Sequence, residues 1–332
     1  MGQNAAITSR AILGMFQKAL GETTPPAWVD AVSMMNDGSD QYSEEYRWLD
    51  QNPAFREWVG GRQALKMSDH GVVVENKPYE ATVEFSRRDL RKDGEGLIRR
   101  RVNGLVQATA GRHWQKLLSN SILNGETAIA TYGSSATYDG VDFFVRSGDG
   151  TKHRDSQHNV LEVSGLSGGR PTVAQVDSAL QQAIEMLMGF TDEQGEPANE
   201  DTSSVQVIAP PSFIGAVSAA LRLQVIQGSG GAIDSPVMAL GEALGMSWAL
   251  ANNTRLNTDG WGTGSTRRMV VARSDNPVKP FIRQQAEAAS AGALAEGSEF
   301  EFHHNAHQYG VTAESGVGYG LWEHAVLVEF AA

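Results

Sequence analysis

Between Tyr46 and Leu90 the chain reads YRWLDQNPAFREWVGGRQALKMSDHGVVVENKPYEATVEFSRRDL, and the second half of this stretch alternates. Val72, Val74, Tyr79, Ala81, Val83 and Phe85 fall at every other position, with Glu75, Lys77, Glu80, Thr82 and Glu84 largely between them. That is the pattern of strands wetted on one face. Asn76 to Pro78 marks the turn, so the spacing predicts a long two-stranded projection that runs directly into a basic helix. An isolated hairpin is marginal in water. One of this length is expected to be held from outside its own domain, and a neighbouring copy of the chain is the economical candidate.

Ahead of this stretch, Ile7, Ala11, Ile12, Met15, Phe16 and Leu20 recur at helical spacing, and a polar segment broken by Pro25-Pro26 and Asp37-Gly38 follows. The reading is a short amphipathic helix within an extended arm, with a flexible tail as the alternative. Trp28, Val29, Val32, Met34 and Met35 predict that the arm lies on an apolar surface. Beyond the projection, Gly96 to Asn124 reads as one long helix with a stripe through Ile98, Val102, Leu105, Val106, Ala110, Trp114, Leu117, Leu118 and Ile122, stopped by Gly125. Such a helix spans on the order of 40 Å, enough for the spine of a domain. It carries Arg99, Arg100, Arg101, Arg112 and Lys116 against Glu95 near its start. In an acidic chain this is either a positive strip for nucleic-acid phosphates or an acidic neighbour, or a solvated helix face.

Thr172 and Gln175 form a capping box after Pro171, and Val173, Val176, Leu180, Ala183 and Leu187 continue as a helix closed at Gly189. A strand Val205 to Ala209, the pair Pro210-Pro211 and a helix through Ile214, Val217, Ala220, Leu221 and Leu223 come next. Met246 to Ala251, Arg268 to Ala272, Phe281-Ile282, Phe300 to His303 and Ala325 to Phe330 read as strands separated by loops. The mixture predicts an α+β fold with an elongated peripheral domain, not a doubly wound nucleotide-binding sheet.

The 332 residues are 41% hydrophobic, enough for a buried core, and carry a formal charge of -12. That charge argues against a protein that grips nucleic acid over its whole surface. The absence of cysteine excludes disulfides, thiolate metal sites and a cysteine nucleophile. No apolar run approaches the roughly 18 to 20 residues needed to cross a bilayer, and no secretory leader is expected. Gly260 to Thr266 lacks the lysine of a phosphate loop. Gly316, Gly318 and Gly320 alternate with Val317, Tyr319 and Leu321, which reads as a strand or bend. His303, His304 and His307 cluster without metal-ligand spacing, and the first two are expected on opposite faces of a strand. His153, Asp155 and His158 form a second polar cluster, expected to be exposed in a Gly-rich loop. Asp139 and Asp142 could pair as carboxylates, yet no nucleophile or oxyanion signature organises them. Neither an enzyme nor a cofactor is expected, and no metal.

The same residues carry a family resemblance. Tyr46, Trp48-Leu49, Pro53, Glu57-Trp58-Val59-Gly60, Arg62, Met67, His70-Gly71, Asn76-Lys77 and Ser86-Arg87 resemble the major head subunit of Mu-like phages and prophages. The match continues in order through Tyr138-Asp139-Gly140 with Phe143-Phe144, Val207 to Pro210, Lys279 to Ile282, and Tyr309-Gly310-Val311 with Gly318 to Trp322. The resemblance implies the Hong-Kong-97-type capsid fold: an N-terminal arm (1–45), an extended loop (46–93), a peripheral domain with the spine helix (94–170), an axial domain (171–272) and peripheral return strands (273–332). It implies a major capsid protein of the virion, assembled in the host bacterial cytoplasm into hexamers and pentamers around double-stranded DNA held without sequence specificity. Portal, scaffold and decoration proteins are the further partners, and no membrane is involved. Trp58, Leu65, Met67, Val72, Val74 and Tyr79 are the candidate contacts across subunits, with packing inside the subunit as the alternative for Trp58. Arg99, Arg100, Arg101, Arg112 and Lys116 are then the strip facing DNA or a neighbour. The rival readings are a nanocompartment shell around protein cargo and a metal-dependent enzyme built on the histidine cluster.

Overall fold

A four-stranded and a five-stranded sheet carry the chain. The computed structural model describes residues 8–37, 42–46, 71–92, 96–166, 169–192, 195–223, 225–228 and 231–331. Its helices are α1 (Ser9–Gly21), α2 (Ala27–Val32), α3 (Arg87–Lys92), α4 (Leu97–Ala108), α5 (Ala110–Leu123), α6 (Ala128–Tyr132), α7 (Val173–Met188), α8 (Ile214–Ala220), α9 (Pro236–Leu244) and α10 (Glu299–His304). Its strands are β1 (Ser33–Asp37), β2 (Ser43–Tyr46), β3 (Val72–Glu75), β4 (Lys77–Ser86), β5 (Val160–Val163), β6 (Ser204–Ala209), β7 (Val225–Gly228), β8 (Gly231–Asp234), β9 (Ser247–Asn252), β10 (Arg267–Arg273), β11 (Phe281–Leu294), β12 (Ala306–Tyr319) and β13 (Ala325–Phe330).

The five-stranded sheet has the order β5-β13-β10-β6-β9. β6 and β13 are near-continuous apolar runs, which suits strands covered on both faces, and every residue of β13 is buried. α7 packs on β5 and β13 and against α8 and α9, while α2 approaches β6. The helix starts at the predicted capping box: Gln175 N–H donates to Thr172 Oγ1 (3.3 Å) and Thr172 N–H to Gln175 Oε1 (2.9 Å). Leu180, Ile184 and Leu187 are buried on its inner face, each contributing about 1.5–3 kcal/mol. β5 and β13 share this sheet with β6, β9 and β10, so the sheet unites stretches of chain that the sequence reading assigned to different domains.

The four-stranded sheet, β1-β11-β12-β4, is built on the long antiparallel hairpin of β11 and β12. Helices α1 and α4 cover one face, with Ile12, Phe16, Ile98, Val102 and Val106 packed over Phe85, Tyr309 and Val311. Three sequence expectations need correction here. The spine is two helices, because Thr109 leaves the helical region (φ -97°, ψ -93°) and its hydroxyl donates to the Leu105 carbonyl at 2.7 Å, a back-bond that bends helices. Phe300 to His303 form part of α10 instead of a strand: Ser298 caps the turn by accepting from Glu301 N–H. Finally, β3 and β4 do not pair with each other. β3 pairs with β2, Tyr46 opposite Val72, and β4 pairs with β12, Phe85 opposite His307. The period-two pattern fits both arrangements and carries no information on the partner.

The β2-β3 ribbon lies across β12, where Gly316 and Gly318 make room for it. A Cβ at Gly318 would collide with Val74 Cγ2, and one at Gly316 with the Glu75 carbonyl. Gln284, fully buried, joins the two layers: its Nε2 donates to the Val74 carbonyl (3.3 Å) and its Oε1 accepts from the Tyr46 hydroxyl (2.8 Å). Asn36 Nδ2 donates to the same hydroxyl at 2.9 Å. Burial pushes Tyr46 up to about 12, so the phenol remains a donor.

Charged groups lock the rest. Arg146 grips Glu329 with two hydrogen bonds (2.7 and 3.0 Å) and also reaches Glu126, while Arg268 bridges the same two carboxylates. Arg273, buried, holds Asp201 (2.6 Å) and Asp275 (2.9 Å). His324 is buried beside it, with Nδ1 2.9 Å from the Val278 carbonyl.

Gly318→Ala is expected to lower stability by about 1–3 kcal/mol, read as a fall in the urea midpoint at unchanged slope, because Val74 or the strand beneath it must shift. An unchanged midpoint would show that the ribbon is not seated there. Burial, aided by the charge of Arg273, depresses His324 from 6.5 to about 4. Between those values the unfolded chain takes up a proton that the folded chain refuses, so stability falls as the pH drops through that window. Asp275, where burial is outweighed by the Arg273 and Ser203 hydrogen bonds, sits at about 2, and its contribution is lost as the pH falls from about 4 toward 2. The urea midpoint should therefore drop between pH 7 and 5, and His324→Gln should flatten that drop; equal slopes would remove His324 from the account.

Candidate functional site

Among the candidate subunit contacts, Trp58, Leu65 and Met67 lie outside the described residues. Val72 and Val74 do not face a neighbour: they are 0% and 2% exposed, sealed between the ribbon and the chain's own core. The reason is the seat on Gly316 and Gly318, which turns that face of β3 inward. The opposite face carries Val73, and the entrance to β2 carries Tyr42, which is 74% exposed. Alternation had marked two faces of β3, and since Val72, Val73 and Val74 are all apolar, composition did not say which was outward. Tyr79 is half-buried on β4 and meets His113 edge to face, ring centroids 4.6 Å apart.

The basic candidates divide at the break in the spine. Arg99, Arg100 and Arg101 are exposed on α4, whose buried side is Ile98, Val102 and Val106. Arg112 and Lys116 are exposed on α5 and line one side of a groove of about 660 Å³ between α1, α5 and the sheet. Ala81, Ala110, Ala289 and Ala291 line this groove, whose polar groups include His113, bonded through Nε2 to Ser315 Oγ at 2.6 Å. Burial holds His113 below its usual range, and nearby Lys116 adds to the effect.

The residues that sequence reading weighed for chemistry are scattered and engaged. His303 and His304 are exposed on α10, whereas His307 is buried on β12 with Glu301 Oε1 at 3.1 Å. Among the described residues no group of three or more His, Asp or Glu is placed to hold a metal ion. His153 is buried, contrary to the expectation of an exposed loop; it bonds Asp139 (2.6 Å) and stacks on Trp322 with centroids 3.9 Å apart. That stack supplies the apolar cover which a Gly-rich sequence context concealed. Asp142 does not pair with Asp139 but accepts from Ile129 N–H at 2.8 Å. Glu323, wholly buried, accepts from Tyr138 and pairs with Arg154 at 2.7 Å; burial raises its carboxyl above the usual range. These contacts tie loops to the core. Among the described residues no helix is long and apolar enough to cross a membrane.

Comparison with known proteins places this geometry. A family model described as the Mu-like prophage major head subunit gpT matches residues 7–174 and 249–330. The chain is 28% identical over 149 residues to the major capsid protein of Escherichia phage Mu, covering 43% of this chain and 46% of that protein. It is 31% identical over 102 residues to the Mu-like prophage FluMu major head subunit of Haemophilus influenzae, covering 31% and 30% of the two chains. These alignments span less than half of either relative. Among solved structures, the capsid of cyanophage P-SCSP1u superposes with a TM-score of 0.53 at 9% identity, over 92% of this chain and 88% of that one. The mature capsid of bacteriophage PhiM1 gives 0.52 at 11% identity, over 92% and 87%. At such identities the likeness is one of fold, and the fold is the α+β Hong-Kong-97-type arrangement of tailed-phage capsids. With a family match over both sequence segments that build the four-stranded sheet, the chain belongs to the Mu-like prophage major head subunit gpT family.

Proposed function

We propose that this chain is the repeating subunit of an icosahedral phage head, joining copies of itself as hexamers and pentamers around double-stranded DNA. Family membership supports the reading, and one structural observation carries it: β2 and β3 run side by side with Tyr46 opposite Val72. The two chain ends that flank residues 47–70 are therefore held side by side on a fixed seat. An arm strand, β1, is laid parallel on β11 in the same region. Many modest contacts of this kind, made simultaneously around a ring, give a shell resistance to the outward push of confined DNA without any one of them being strong. The function is assembly without catalysis or a cofactor. Portal, scaffold and decoration proteins complete the partner set, the virion capsid is the final location, and assembly takes place in the host bacterial cytoplasm.

Replacing residues 48–69 by a short Gly-Ser linker tests this reading, since Tyr46 and Val72 are paired and a short linker spans the gap between β2 and β3. The expected product is a folded, soluble subunit that forms no closed shells by electron microscopy. Shells of normal size from this variant would overturn the assignment of residues 48–69 to subunit contact.

A further inference from the structure

The two faces of the four-stranded sheet differ in charge. Strand register places Glu80 and Glu84 of β4 on the same face as Glu314 of β12, and Glu314 sits opposite Glu287 of β11. Glu80, Glu84 and Glu287 are exposed there. The other face is covered by α1 and α4, and these helices together with α3 and α5 include a single acid, Asp89. Arg88, Arg91, Arg99, Arg100, Arg101 and Arg112 are all exposed on this helical layer, and none forms an ion pair among the described residues. A solvated helix face ordinarily interleaves both signs. Here, in a chain of net charge -12, the signs are segregated to opposite sides of one two-layer unit.

Two partners could relieve the repulsion among these arginines: a polyanion, or the glutamate face of another copy. The second arrangement would set the helical layer of one subunit on the sheet of the next. Each copy would then be displaced along the normal of the layer, a head-to-tail contact that stacks subunits without closing. A single-layered closed shell needs its contacts at the edges and leaves one broad face free. Duplex DNA offers phosphates at regular spacing to such a face and asks for no matched side chains.

We propose that the helical layer faces the interior of the shell and lies against the phosphates of enclosed duplex DNA, with the glutamate face turned outward. This rests on the shell reading given above. The cysteine-free sequence makes the test direct, because a single introduced cysteine reports its own side of the wall. In intact shells, Glu84→Cys should react with a bulky, charged maleimide, while Arg100→Cys should stay protected until the shell is opened with denaturant. In parallel, subunits released from shells are titrated with mixed-sequence linear duplex DNA at several salt concentrations. The variant with Arg99→Gln, Arg100→Gln and Arg101→Gln should show a dependence of log K on log salt shallower by roughly 2–3. Arg88→Gln with Arg91→Gln should also shallow it, and Glu80→Gln with Glu84→Gln should not. Labelling of Arg100→Cys in intact shells at the rate of Glu84→Cys would overturn the proposal, as would an unchanged salt slope. A triple variant that binds DNA like the unsubstituted chain but no longer joins its neighbours would overturn it too, assigning the strip to subunit contact. Failure of the unsubstituted chain to form shells would sink the shell reading instead, and the DNA titration would still decide whether the strip binds phosphates.

Discussion

The crossing of β3 over β12 depends on two missing side chains. At Gly316 and Gly318 the ribbon backbone and Val74 occupy the space where a Cβ would project. A two-stranded ribbon has too little core to persist alone, so its stability is borrowed from this seat. Val72, Val74 and Tyr46 give up their exposure to it, each apolar side chain contributing about 1.5–3 kcal/mol. Gln284 gives the Val74 carbonyl a further donor and so ties the ribbon to β11 by a buried hydrogen bond. Geometry, apolar burial and hydrogen bonding thus agree at one place, which makes the ribbon a fixed part of the subunit up to Tyr46 and again from Val72.

Ion pairing divides the arginines of the chain into two groups. Around the five-stranded sheet, Arg146, Arg268 and Arg273 are each bound to at least two carboxylates. Arg273 is buried and Arg146 and Arg268 are partly so, and their multiple carboxylate partners commit these side chains to structure. Among the described residues, the arginines of α3 and α4 hold almost no internal partner. Arg87 is the exception, meeting Glu301 at 3.3 Å near the tip of the β11-β12 hairpin, and an exposed pair of this kind contributes at most about 1 kcal/mol. In a chain with fewer bases than acids, this layer gathers positive charge that ion pairs among the described residues do not neutralise.

Local rules made much of this legible. Thr172 with Gln175 announced the start of α7, and the apolar runs of β6, β10 and β13 announced strands, whose near-complete burial the structure adds. The failures share a cause: they concern which distant segment meets which. Alternation from Val72 to Phe85 was right about extended backbone but silent on partners, and the partners turned out to be β2 and β12. Glycine spacing at 316 and 318 suggested a strand or bend, whereas its purpose is the approach of another strand from far away in sequence. The break at Thr109 is local, yet an apolar stripe that continues through it conceals a hydroxyl that bends the helix. The helix α10 did have a signal, since Ser298 followed three residues later by Glu301 is a cap signature; an aromatic pair inside it read as strand instead. Among the site candidates, exposure on α4 and α5 followed from the helical period, while the outward face of β3 required knowledge of its seat.

The β11-β12 hairpin is the common support of these features. β1 adds to one of its edges and β4 to the other, the ribbon crosses it at Gly316 and Gly318, and α1 and α4 pack on its face through Tyr309 and Val311. Arm, ribbon and basic layer therefore share one rigid element, while the five-stranded sheet with α7 forms a separate layer joined to it through the larger core. A displacement of the hairpin would move all three together. One that tilted only the α7 layer would leave their mutual geometry intact. The physical consequence is that the angles between arm, ribbon and basic layer are fixed by packing on one hairpin, so little ordering entropy remains to be lost when any one of them is held.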